Sequence, residues 1–243
     1  MTYNPCPDER GTAYHEAGHA VVGLLSFPNP DDQGANALFR QAVRFETVTI
    51  VPTEEFCGQV TWDVPFLREW YEEQARLLPE AIAKGTAAPD DISVGDPREW
   101  GAEWANYVDI DIMVGYAGGI AESVSKDEKA NYDKLTQGGC SNDFRGALLL
   151  GQLRAPDVIP RAWADGNTET GLYLTWLFHR TEVLVRSPPV WIQLEALAKA
   201  LLEKTTLTYE EAVAVILGAF SSLSLEEQRA AFTTDSKLNA KLP

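Results

Sequence analysis

The sequence predicts a mainly helical fold with a small β-sheet beside its first helix. Segments with helical periodicity make up most of the chain, and the first runs from about residue 9 to 25. The β-branched run Val43–Val51, followed by Pro52, predicts one strand, and Cys57–Trp62 predicts a second. Because only a short turn separates the two strands, we expect them to pair in an antiparallel sheet.

The other elements follow from local patterns. Asp8 is a suitable cap for the first helix, with Glu9 in its first turn. Further helices are predicted over residues 65–84, 102–124, 170–186 and 189–204, and from Ser141 and Thr208 onward. Residues 85–98 predict an acidic loop. Capping boxes are predicted at Thr208 and Ser224, each with a glutamate three residues later.

Length and composition allow one large domain or two small ones, of which the family resemblance described below implies a single domain over residues 1–243, and they disfavour two classes of partner. With 243 residues and 45% hydrophobic content, the chain can bury a large core. Its formal charge of −16 would repel nucleic-acid phosphates and anionic membrane surfaces. No apolar run approaches the roughly 18 to 20 residues that cross a bilayer, so membrane insertion is not expected.

The amino-terminal residues and the cysteines predict a cytoplasmic protein. Residues 1–8 carry neither the basic nor the apolar segment of a signal peptide. The cysteines number three and are widely spaced, which predicts no disulfide framework. A reducing cytoplasm is therefore the expected location.

Two histidines near the amino terminus predict a metal site. His15 and His19 are four residues apart in the first helix, so both imidazoles lie on one face and can reach one ion. With Glu16 directly after the first histidine, this is the His-Glu-x-x-His pattern of zinc metallopeptidases. Glu16 is expected to take a proton from a metal-activated water that attacks a peptide carbonyl. The remaining histidine, His179, has no paired ligand nearby in sequence.

Two helical histidines need a third protein ligand, for which the residues leave three candidates. Asp143 lies in the first turn of the helix predicted from Ser141, where the helix dipole favours an ionised carboxylate. Glu122 could bind the metal or support a histidine from behind, and it follows glycines that predict close packing on a neighbouring helix. Cys140 could offer a thiolate, although a buried apolar cysteine is the commoner role.

Four blocks of the sequence resemble the peptidase domain of the FtsH family, in the order in which that family carries them. The blocks are His15–Ala20, Val48–Pro52, Gly118–Glu122 and Gly139–Phe144. The stretch Trp191–Leu207 is similar to the final helices of that domain. The resemblance covers about residues 9–216, with insertions near 63–100 and 154–170 and a helical extension over 217–243.

The resemblance implies both a ligand set and a fold. Zinc would be bound by His15, His19 and Asp143, with Glu16 as the general base. The fold would be a mainly helical zinc-peptidase domain, with its small β-sheet beside the helix that carries both histidines.

The chain departs from the FtsH family in two respects. Members of that family carry membrane spans and an ATPase module with a Gly-x-x-x-x-Gly-Lys-Ser/Thr loop, and these 243 residues contain neither. Without such a motor, the expected substrates are peptides or unfolded protein segments, which a separate ATPase or adaptor partner could deliver. The six-fold ring of the family rests largely on the ATPase module, so the oligomeric state stays open.

Two functions are therefore compatible with the sequence. One is an ATP-independent zinc metalloendopeptidase. The other is a non-catalytic peptide- or protein-binding module that retains a relic or structural zinc site. A Glu16→Gln substitution separates the two, because it should abolish turnover only in the first case.

Overall fold

The structure is a computed structural model that describes residues 8–26, 44–53, 56–63, 101–132, 135, 143–144, 146–147, 150–151, 169–221 and 224. Several predicted features lie outside these residues. They are the helix over 65–84, the acidic loop over 85–98, the glutamate of the second capping box and the candidate ligand Cys140.

The described part of the chain is mainly helical, as predicted. Its elements are α1 (Glu9–Ser26), β1 (Arg44–Thr49), β2 (Gln59–Asp63), α2 (Gly101–Ser125), α3 (Glu169–Arg186), α4 (Pro188–Glu203), β3 (Thr206–Thr208) and α5 (Tyr209–Ser221). The helical residues 143–144, 146–147 and 150–151 agree with the helix predicted from Ser141. None of the described helices is both long and apolar enough to cross a membrane.

Two helices begin where capping chemistry predicts. The Asp8 Oδ1 accepts the backbone N–H of Gly11 at 2.9 Å, and the Asp8 carbonyl accepts that of Thr12 at 2.9 Å. At α5, the Thr208 N–H donates to Glu211 Oε2 at 3.1 Å, and the Glu211 N–H donates to Thr208 Oγ1 at 3.4 Å. These bonds satisfy N–H groups that have no partner inside their helix, and both predicted caps are confirmed.

The sheet has the strand order β2-β1-β3 and is antiparallel throughout. The predicted pair of β1 and β2 is confirmed, with Val48 opposite Val60. The third strand, β3, was not predicted. It pairs with β1 through Thr47 opposite Thr208, and the Thr49 hydroxyl also donates to the Thr205 carbonyl at 3.1 Å.

Helix α1 lies inside the core and packs most extensively against α2 and α4. On the α2 side, a Cβ atom at Gly18 would lie 2.5 Å from the Ala117 carbonyl oxygen, so only glycine permits this approach. On the α4 side, Tyr14 stacks on Trp191 with ring centroids 5.7 Å apart. The helix that carries both predicted histidine ligands is thus fixed from two sides.

Candidate metal centre

The structure brings His15, His19 and Asp143 together. The Asp143 Oδ2 lies 3.1 Å from His15 Nε2 and 3.7 Å from His19 Nε2, and the two Nε2 atoms are 3.0 Å apart. The possible ligand atoms of all three residues lie within 4.8 Å of one another. Two of these side chains share one face of α1, and the third belongs to the described helical residues from Asp143 to Gly151.

The spacing of the three atoms fits a small tetrahedral ion. Zinc bonds of about 2.0–2.1 Å at tetrahedral angles give ligand–ligand separations of about 3.3 Å. The separations in the structure, 3.0, 3.1 and 3.7 Å, lie on both sides of that value. Three ligands would leave a fourth position open for water, which distinguishes catalytic from closed structural zinc sites.

Both imidazoles are held from behind by acceptors. The His19 Nδ1 lies 2.7 Å from the Val114 carbonyl oxygen, and the His15 Nδ1 lies 3.4 Å from Glu122 Oε2. A carbonyl and a carboxylate can only accept, so both contacts favour a proton on Nδ1. Asp143 is an acceptor as well and faces both Nε2 atoms, so the tautomer of each ring depends on the acceptors on both of its sides. With the proton on Nδ1, Nε2 keeps the lone pair that binds a metal.

Glycines of α2 make room for the two imidazoles. A Cβ atom at Gly118 would lie 2.4 Å from His19 Nε2 and 2.8 Å from His15 Nε2. One turn earlier, a Cβ atom at Gly115 would lie 3.3 Å from the Asp143 carbonyl oxygen. The close packing predicted from this glycine-rich stretch is confirmed, and its neighbours are α1 and the residues around Asp143.

Asp143 and Glu122 are both held as carboxylates. Burial alone would raise the pKa of Asp143, but the adjacent His19 and His15 outweigh it and hold that pKa well below its ordinary value. The hydrogen bond with His15 lowers the pKa of Glu122 to about 2. Burial opposes this change, and a second hydrogen bond, from Lys126, adds to it. Glu122 lies at the Nδ1 side of His15, so it has the position of a supporting residue rather than that of a ligand.

Glu16 lies beside this group and is almost fully buried, with 5% of its surface exposed. Burial raises the pKa of its carboxyl above the ordinary value, although His19 and His15 oppose the change. Gly58, just before β2, provides the space for this side chain, since a Cβ atom there would lie 2.7 Å from Glu16 Cγ. Sequence reasoning did not identify this role of Gly58, because its contact with Glu16 is long-range.

Two further sequence predictions concern the cysteines, which were expected to form no disulfide framework, and His179, which was expected to lie on a helix surface. Cys57, next to Gly58, is disulfide-bonded, so the prediction of a chain without disulfides was wrong at this position. The number and spacing of cysteines do not reveal which of them approach each other in space. His179 is 63% exposed in its side chain and lies 3.6 Å from Glu182, as expected of a histidine on a helix surface.

Comparison with known proteins adds no relative. No protein-family model matches the sequence, and no curated protein matches it. The likeness to the FtsH family therefore rests on the four sequence blocks. What the chain does must be inferred from the side chains at this centre.

Proposed function

We propose that the chain is a zinc-dependent endopeptidase that cleaves peptides or unfolded protein segments without ATP. The observation that supports this most is the convergence of three possible ligand atoms, His15 Nε2, His19 Nε2 and Asp143 Oδ2, at 3.0 to 3.7 Å. Acceptors behind both rings favour a proton on Nδ1, which leaves Nε2 to bind a cation. Two imidazole nitrogens with one carboxylate oxygen suit zinc.

The chemistry assigned to this chain's own residues centres on Glu16. When bound, zinc supplies Lewis acidity to the peptide carbonyl and to the attacking water. Glu16 accepts the proton of that water and passes it to the leaving amine. Its burial beside the histidines favours this role, because a carboxylate with a raised pKa is the stronger base.

The sheet offers a way to hold a substrate backbone. In the described sheet β2 is an edge strand, and Gly58 at its start contacts Glu16. An extended peptide that pairs with this edge as an added strand would pass beside the catalytic carboxylate. Peptides and unfolded segments can adopt that form. Delivery of unfolded segments by a separate ATPase or adaptor stays part of the proposal. The disulfide at Cys57 argues against the reducing cytoplasm that was expected from the sequence.

Metal analysis and a peptide screen test the proposal together. Purified wild-type protein should bind about one zinc per chain, and mass spectrometry should detect cleavage of unstructured peptides. Glu16→Gln should keep the zinc and lose turnover by at least about 100-fold. Asp143→Ala should lose the zinc.

Three outcomes would contradict the proposed function, each in a different way. Equal turnover by wild type and Glu16→Gln would contradict the peptidase mechanism. Bound zinc with no turnover of any peptide would favour the non-catalytic binding module. Wild-type protein that takes up no zinc when supplied with it would refute both zinc-based functions.

A further inference from the structure

A chain of ion pairs lies behind His15. Glu122 uses both of its oxygens, with Oε2 at 3.4 Å from His15 Nδ1 and Oε1 at 2.7 Å from Lys126 Nζ. The same Lys126 Nζ lies 2.9 Å from Asp8 Oδ2. The other oxygen of Asp8 accepts the Gly11 N–H and so caps α1.

These contacts form a closed connection between two helices. It begins at the cap of α1, crosses to Lys126 just after the end of α2, continues to Glu122 and returns to α1 at His15. Gly11 lies inside the connection, and a Cβ atom there would be 2.5 Å from Asp8 Oδ2 and 3.2 Å from Glu122 Oε1. The two carboxylates are therefore packed against the backbone of the first turn of α1.

These ion pairs affect the orientation of the Glu122 carboxylate more than the free energy of unfolding. The side chains of Lys126 and Asp8 are 38% and 43% exposed, and exposed ion pairs contribute little to the free energy of unfolding. The terminal torsion of a glutamate is broad and poorly fixed by its own rotamer. With Oε1 held by Lys126, the Glu122 carboxylate keeps Oε2 directed at the His15 ring.

We infer that Lys126, itself held by Asp8, is a positioning residue for the metal centre: it fixes Glu122 and thereby sets the orientation of the His15 ring. The inference rests on the proposed function where it concerns metal affinity. The orientation of the ring, by contrast, is a property of the metal-free chain. Two measurements therefore test the two parts separately.

The first measurement uses metal-free protein. Proton NMR spectra report the orientation of an imidazole ring through its contacts with neighbouring protons, and the chain has three histidines to assign. In wild type the His15 ring should show contacts with Gly118 of α2, whose backbone lies against it. In Lys126→Met these contacts should weaken, and Lys126→Arg should restore them.

A matched control separates this effect from the loss of any lysine. Lys199 pairs with Glu195 one helical turn away on α4, which is the same spacing as in the pair of Lys126 with Glu122. Lys199→Met should leave the His15 spectrum unchanged. Circular dichroism should show that all these variants are folded.

The second measurement is zinc affinity by competition with a chelator. Loss of a group that supports a metal-binding histidine typically weakens binding 10- to 100-fold, and we expect about tenfold for Lys126→Met, which acts one residue further back. A loosened His15 ring in a protein that binds no zinc would uphold the inference and refute the peptidase proposal. Identical His15 spectra and identical zinc affinities in wild type and Lys126→Met would overturn the inference, whether or not the wild type cleaves peptides.

Discussion

Gly118 of α2 lies so close to His19 of α1 that a Cβ atom at position 118 would be 2.4 Å from the histidine Nε2. The approach leaves no space for even a methyl group beside the proposed metal ligands. The backbone of α2 therefore forms a wall of the site, and residue size at position 118 controls where both imidazoles can lie.

Gly118→Ala should therefore weaken zinc binding by at least about tenfold, because the new methyl group displaces both Nε2 atoms. Gly218 in α5 is the control, since a Cβ atom there has nothing within 4 Å. Gly218→Ala should leave zinc binding unchanged and raise the free energy of unfolding by up to about 1 kcal/mol, through helix propensity. Chelator competition and denaturant unfolding measure the two effects. Equal zinc affinities in the two variants would contradict the assigned role of Gly118.

Zinc should stabilise the folded chain against heat. Free zinc at about 100 times its dissociation constant adds about 2.7 kcal/mol to the free energy of unfolding, so the melting temperature should rise and return when a chelator is added. His15→Ala and His19→Ala should lose this response. His179→Ala should retain it, because that side chain is exposed and pairs with Glu182. Loss of the response in His179→Ala would show that zinc binds at a site that includes His179.

Gly58→Ala should separate metal binding from turnover. A Cβ atom at position 58 would lie 2.7 Å from Glu16 Cγ and 2.8 Å from the Thr49 carbonyl oxygen, so the carboxylate proposed as the general base must move. Peptide cleavage should fall by at least about tenfold, since misplacement of a general base by about 1 Å can cost up to 100-fold. The zinc content should stay at the wild-type level. Unchanged cleavage by this variant would show that Glu16 tolerates displacement and is not the base.

The start of α5 should make a pH-dependent contribution to stability. Hydrogen bonds from the Lys204 ammonium and the Thr208 N–H lower the pKa of Glu211 below its ordinary value. A carboxyl whose pKa is lower in the folded than in the unfolded chain stabilises the fold above the unfolded pKa, and this contribution is lost as the pH falls through the folded pKa. Glu211→Gln should therefore be less stable than wild type at pH 7, and the difference should vanish in acid.

Thr208→Ala provides the comparison for that experiment. It removes the hydroxyl that accepts the Glu211 N–H and should lower the free energy of unfolding by about 1 kcal/mol at neutral pH. Because a hydroxyl does not titrate, this loss should persist in acid. Urea unfolding of the three proteins at both pH values measures the difference. A Glu211→Gln effect that also persists in acid would show that the carboxylate charge is not its source.

Local features of the sequence were sufficient for most of the described helices and for the first two strands. Helix periodicity and capping residues such as Asp8 and Thr208 act over a few positions, so the starts of α1 and α5 could be predicted from the chain itself. Strand β3 could not, because Thr206–Thr208 is too short to show a period.

The site could be predicted only in part, for the same physical reason. The spacing of His15 and His19 on one helix is a local property. The residues alone left Asp143, Glu122 and Cys140 open as third ligand, and only the resemblance selected Asp143. The contact of Lys126 with Asp8 joins residues far apart in sequence, and no local pattern encodes it. Long-range contacts of this kind are set by how α1 and α2 pack.

The central position of β1 has a consequence for how the chain is made. Its Thr49 hydroxyl bonds to that of Thr206, although the two residues are 157 positions apart. During synthesis on the ribosome α1 and the β1–β2 hairpin emerge early, whereas β3 and the Trp191 that stacks on Tyr14 emerge late. Contacts between such distant segments form only when the later one is available. The sheet and the packing around α1 therefore stay incomplete until most of the chain has been translated.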